Sequence, residues 1–215
     1  MFSKISPAPL RGFFIAKNDY KGMIDLTKTI LPEAVEVNGE YYPVQTSFKY
    51  WLQFIELTEK KNTTFKDFDF MYRDKMPADR QQGFSALIQF CNPPQLLPRT
   101  ETEENSVHVL DYIIDADYIY SAFAEQYPQF DLRRGIHIQT GETIHWYEFQ
   151  ALLHGLHDTK LNEIIGYRSY ENKSGKHDTY TRQMEKLKSA WELPQESDEE
   201  DEDLKAFEAL LRPHE

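Results

Sequence analysis

Three apolar stripes at helical spacing crowd into the stretch between Asp111 and Arg168, and they constrain the fold more than any other feature of the chain. In DYIIDADYIYSAFAEQY, the residues Tyr118, Ile119, Ala122, Phe123 and Tyr127 fall on one side of a helix. In IHWYEFQALLHGL the stripe is Trp146, Phe149, Leu152, Leu153 and Leu156, and in DTKLNEIIGYRSY it is Leu161, Ile164 and Ile165. Each stripe leaves its helix with one face that needs a partner. The connections are short, so the three helices are expected to pack on one another. Asp115 or Asp117 is expected to cap or charge the start of the first helix, and Tyr127-Pro128 to end it. Thr143 stands where an N-cap is wanted for the second, and Gly155 where a left-handed residue would close it. Asp158 or Thr159 caps the third, and Gly166 closes it.

The remaining chain divides by pattern. Residues 1–22 show little periodicity, contain Pro7, Pro9, Gly12 and Gly22, and read as a flexible arm. Residues 23–193, opening at Met23, read as one mostly helical domain. Within it AVEVNGEYYPV alternates around Asn38-Gly39, which predicts a β-hairpin at about 34–44 with a two-residue turn. Pro43 cannot donate to a ladder, so its strand is an edge, and two strands alone must lean on helices. Thr46-Ser47 caps a helix, FKYWLQFIELTEK, with Phe48, Trp51, Leu52 and Ile55 inward. The segment FKDFDFMYRDKM carries Phe65, Phe68, Met71 and Tyr72. A further helix starts near Pro77, carries Phe84, Leu87, Ile88 and Cys91 on one face, and stops at Asn92-Pro93-Pro94. Residues 98–106 read as a solvated loop. Tyr180, Met184, Leu187 and Trp191 mark a last amphipathic helix.

Charge is uneven. The net value is −12, and residues 195–215 hold nine acids against two bases, which leaves −5 for everything before them. The run QESDEEDED within the tail at 194–215 has nothing to bury and is expected to be disordered. It leads into LKAFEALL, where Leu204, Phe207, Leu210 and Leu211 form a short apolar stripe that suits a groove, on a partner or on this protein itself. With the acids placed this way, a basic nucleic-acid surface is not indicated. The single cysteine allows no internal disulfide and points to a reducing interior. No apolar run approaches the ~20 residues of a membrane helix, and the stretch at 13–16 is too short for a signal peptide. A soluble, cytoplasmic protein is the expectation.

The groupings that might have carried chemistry read more simply. Asp115 and Asp117 form a D-x-D pair that can hold a divalent cation, but at a helix start they serve as caps. His154 and His157, with Asp158 beside them and His145 earlier, have a spacing zinc uses. His157 lies past Gly155, however, and the histidines read as surface groups. His145, in the first turn of its helix, is expected to be neutral and structural, because a cation is disfavoured at the positive dipole end. Trp146 reads as core, and Cys91, on an apolar face, as buried and inert. There is no G-x-S-x-G, P-loop or glycine-rich dinucleotide turn. The sequence does not read as an enzyme and calls for no cofactor and no metal.

The runs DADYIYSAFAEQY, IHWYEFQALLHGL and DTKLNEIIGYRSY, with the opening MIDLTKTILPEAVEVNGEYYPVQTSFKYWLQF, resemble the bacteriophage gene-product-fifteen family. The resemblance covers about Met23 to Leu193. The positions that match its pattern are Trp51, Asp117, Tyr118, Tyr120, His145, Trp146, Gly155, Leu161 and Arg168, and most read as structural. The resemblance implies a gene of long-tailed phages and prophages of Gram-positive bacteria, placed between the major tail protein and the tape measure protein. It brings no catalytic residues. On it rests the expected function, a chaperone-like tail assembly protein that binds the tape measure protein or major tail protein before assembly. Such a protein would act in the cytoplasm of the bacterial host and be absent from the mature virion. The alternative is an acidic adaptor or inhibitor that occupies a basic site on a host protein. The fold expected is mainly α, with a small N-terminal hairpin and an acidic tail, and the oligomeric state is left open.

Overall fold

The computed structural model describes residues 24–60, 63–93, 109–172, 175 and 178–194. The arm at 1–22, the loop at 98–106 and the acidic tail with Leu204, Phe207, Leu210 and Leu211 lie outside the described residues. Within them the order is β1 (Ala34–Val37), β2 (Glu40–Pro43), α1 (Phe48–Glu59), a 3-10 helix (Phe65–Met71) and α2 (Arg80–Cys91). Then come α3 (Ala116–Gln126), β3 (Phe130–Asp131), β4 (Ile136–His137), α4 (Trp146–Gly155), α5 (Lys160–Arg168) and α6 (Thr179–Trp191). The fold is mainly α with a hairpin at its N-terminal side, as the sequence predicts.

The hairpin forms where Asn-Gly places it. Val37 pairs with Glu40, and Asn38 and Gly39 turn with φ of +54° and +79°, the two positive values a type I′ turn requires. Alternation then puts Val35, Val37, Tyr42 and Val44 inside. Val35 and Val37 stand on the inner face of β1, which packs on α2.

The core is an aromatic chain. The Trp51 ring of α1 stacks on Phe90 of α2 at 4.8 Å and on Trp146 of α4 at 6.2 Å. Phe149 continues the chain, against Phe48 at 4.5 Å and Phe123 of α3 at 5.4 Å. Each indole N–H has a carbonyl: Trp51 Nε1 donates to Gln45 O at 2.8 Å, and Trp146 Nε1 to Cys91 O at 3.0 Å. The second bond also satisfies a carbonyl at the end of α2, where helical partners run out. The three central helices therefore do not form a bundle of their own. The α4 helix packs on α1, while α3 packs on α5 and meets α4 through Phe123.

Helix entries differ from the sequence expectation for physical reasons. The α4 helix begins after His145, not at Thr143, because Thr143 bridges to Ile136 and Ile144 is drawn into the core. Ser47 caps α1 without a side-chain bond. Its helix start is served instead by an antiparallel bridge to His145, with Phe48 N donating to Ile144 O and Trp146 N to Thr46 O. The α2 helix starts at Asp79, whose carboxylate accepts from Gln82 N, and Pro77 lies ahead of it. Thr159 caps α5 with Asn162 in a reciprocal box, as expected. Gly166 does not close α5, which runs on to Arg168. Gly155 is not left-handed either: a Cβ there would meet the Tyr127 hydroxyl at 2.8 Å, so its smallness admits that ring. On α6 Tyr180 is exposed while Met184, Leu187 and Trp191 are half-buried, and the helix packs on α5, where Lys160 Nζ lies over the Trp191 ring.

Gly39 has open space where a Cβ would project, so the cost of Gly39→Val is backbone strain and not a clash. Valine at this φ is expected to destabilise the protein by about 1–2 kcal/mol, and Gly39→Asn by much less. Chemical denaturation with unchanged slope and a lowered midpoint for valine alone is the expected result.

Candidate functional site

Two arrangements stand out among the described residues, one joining Asp115 to Arg168 and one that includes Tyr120. The first is a buried ion pair. The Asp115 side chain is 1% exposed and that of Arg168 5%. Arg168 Nη1 donates to Asp115 Oδ2 at 2.6 Å and Nη2 to Oδ1 at 2.9 Å, a bidentate fork. The same guanidinium donates from Nη1 to Val109 O at 3.0 Å and from Nε to Trp191 O at 2.6 Å. Asp115 Oδ2 also accepts from Asp111 N at 3.0 Å. Asp115 is thus no helix cap, although it stands at the capping position. Its carboxylate turns inward because a cation at the end of α5 is there to meet it. Asp117, the other half of D-x-D, is exposed in the first turn of α3.

The second arrangement is an open trough of about 510 Å³ between α3 and the β3–β4 hairpin. Tyr120, Phe123 and Ala124 give the α3 wall, and Phe130, Leu132 and Ile138 give the hairpin side, with Arg133 and Arg134 at the rim. Ile138 is 59% exposed and Tyr120 46%. The hairpin is short but firmly held. Asp131 Oδ1 accepts from Arg134 N at 3.0 Å, and Gly135, at φ +74°, completes the turn. Lys49 of α1 donates to Arg133 O. His137 Nε2 lies 2.9 Å from Glu148 Oε2 of α4. Among the described residues, no carboxylate pairs with Arg133 or Arg134. The trough therefore offers apolar contact area with positive charge at its edge. A second hollow, under Tyr72 and Gly83, has only about 10 Å³.

The remaining sequence candidates are dispersed. Trp51, Trp146 and Leu161 lie in the core. Tyr118 is half-buried and meets Trp191 edge-on at 5.7 Å. His154 and His157 are exposed, and among the described residues no cluster of ligating side chains could hold a metal ion. Cys91 is buried, and burial pushes its thiol far above the usual range. His145 is a junction: Nδ1 accepts from Tyr147 N at 3.0 Å, so the proton sits on Nε2, which donates to Pro32 O at 2.9 Å. Burial holds its pKa below the ordinary 6.5, although the Pro32 bond and the Glu148 and Glu33 charges oppose that. Sequence reasoning missed Asp115 as a buried acid and missed the trough. The Asp131-to-Gly135 run, an Asp-led turn closed by glycine, was the available signal.

These features define a mainly helical protein with a small flanking hairpin and an open trough of mixed apolar and basic lining. Residues 27–193 match the family described as Bacteriophage Gp15 protein, and the chain belongs to that family. No curated protein and no solved structure matches it. No helix among the described residues is long and apolar enough to cross a membrane.

The His145 geometry sets a pH dependence. Protonating Nδ1 removes the acceptor for Tyr147 N and puts a cation at a helix N-terminus. A histidine pKa depressed in the folded state gives stability that is full above 6.5 and lost as pH falls below it toward the folded value. His145→Asn keeps a capping acceptor without titrating. The melting temperature of this variant is expected to fall less steeply between pH 7 and pH 5 than that of the parent.

Proposed function

We propose that the protein is a tail assembly factor. It binds an apolar helix of the tape measure protein, or of unassembled tail subunits such as the major tail protein, and keeps it from aggregating. The observation that carries this reading is the trough between α3 and β3–β4, exposed apolar surface on a chain that belongs to a phage family. Exposed apolar side chains gathered in an open trough with a polar rim suit a protein-binding site. An amphipathic helix seated against Tyr120, Ala124 and Ile138 would bury its stripe there, with Arg133 and Arg134 meeting acids on its polar side. Ile113 and Ile114 are also exposed, in the turn that leads into α3. The net charge of −12 favours solubility while such a surface stays open. Such a factor works in the host cytoplasm before assembly and is absent from the mature virion. The binding role asks for no catalysis. The alternative reading, an acidic mimic that fills a basic host site, has less support, because the acids concentrate in residues 195–215.

The test is calorimetry of the full chain with the tape measure protein of the same phage or prophage. Ile138→Asp and Tyr120→Ala, both at exposed positions, are expected to lower affinity by about 1–2 kcal/mol each with the melting temperature unchanged. Equal affinity of both variants and the parent contradicts the trough as the binding surface.

A further inference from the structure

We infer that the trough is also the docking site for this chain's own C-terminal segment, residues 195–211, which covers it when no partner is bound. The inference uses the trough as a docking surface but not the identity of the partner. Three observations point to this occupant.

The first is chemical fit. The segment presents seven acids in residues 195–203 and then the stripe Leu204, Phe207, Leu210 and Leu211. The trough presents apolar surface from Tyr120, Ala124, Phe130 and Ile138, with Arg133 and Arg134 at its rim. Asp131 is the acid within the trough, and its carboxylate is engaged by Arg134 N in the turn. Acids just ahead of a helical stripe also favour its N-terminal dipole end.

The second is where the described chain ends. The last helix brings Trp191 edge-on against Tyr118 of α3, and its carbonyl accepts from Arg168. The tail therefore leaves beside the helix whose other side walls the trough. At about 100° per residue, Tyr118 and the pair Tyr120 and Ala124 lie on roughly opposite faces. Nine residues reach at most about 30 Å, enough to pass around a helix some 10–12 Å across.

The third is energetic. A segment as short as LKAFEALL is marginal as a free helix, so its stripe gains order mainly against a surface. Covalent attachment to the same chain raises the local concentration to about millimolar. A contact of modest affinity, one that a separate peptide still shows at high protein concentration, is then enough to keep the trough covered.

The test uses a fluorescent peptide of residues 195–215 and three full-length proteins, read by anisotropy. The parent is expected to bind the peptide weakly, since its own segment competes. Phe207→Ser with Leu210→Ser in the chain vacates the trough and should tighten peptide binding by about tenfold or more. Adding Arg133→Glu and Arg134→Glu, at exposed positions, should abolish that gain with the helical circular dichroism unchanged. Equal peptide affinity of the parent and the vacated chain overturns the inference. So does a gain that survives the arginine reversals. Sedimentation of the parent as a dimer that the Phe207 and Leu210 substitutions dissociate would assign the trough to a second copy's segment and also overturn it. None of these measurements involves a tail protein, so their failure is separable from failure of the assembly reading.

Discussion

The Asp115–Arg168 pair is the interaction on which the second half of the molecule depends. It joins the lead-in at Val109 and Asp111, the start of α3, the end of α5 and the end of α6 through one guanidinium. Its placement also suits both helix dipoles, with the anion at the N-terminus of α3 and the cation at the C-terminus of α5. A buried pair is not itself a large gain over a well-packed apolar pair, but removing one partner is costly, about 3–5 kcal/mol, because the other is left charged and dry. Its value here is positional. Arg168 also satisfies carbonyls from two further segments, which no apolar pair would do. With α3 held from its start, Tyr120, Phe123 and Ala124 face the β3–β4 hairpin and the trough exists.

The first half is organised differently, by the rings of Trp51, Phe90, Trp146, Phe149 and Phe48. The Phe123 ring, stacked on Phe149, ties this part to α3, and within it the bridge between Ser47 and His145 locks the entries of α1 and α4 to each other. The hairpin of β1 and β2, too small to stand alone, rests on α2. What remains at the surface bears on function: Ile138 and Tyr120 stay exposed, and both line the trough. That exposure supports reading the trough as a surface for a partner.

Much of this was legible in the sequence where the signal is local. Asn38-Gly39 specified the hairpin and its register because only positive φ values fit a two-residue turn. The cap of α5 was readable as Asp158 or Thr159, and the reciprocal bond with Asn162 in the same turn decides for Thr159. The family was readable from the central motifs. Long-range choices were not. D-x-D does not say which carboxylate faces inward, since the deciding cation lies 53 residues away. Thr143 had the chemistry of a cap, but Ile144 was needed in the core and the helix began later. Gly155 looked like a helix terminator, yet its role depends on the hydroxyl of Tyr127. The trough was invisible because β3 and β4 have two residues each, too few for any periodicity to show.

The claim that the ion pair holds α3 and α6 in place is tested most directly by residue-resolved hydrogen exchange of Asp115→Asn in the full chain. Asparagine keeps the shape and leaves Arg168 without its counter-charge. The account predicts that amides of Ala116–Gln126 and Thr179–Trp191 lose protection first, while Phe48–Glu59 and Trp146–Gly155 stay protected by the aromatic core. Uniform loss across the six described α-helices, or protection of α3 and α6 equal to that of the parent, would contradict it.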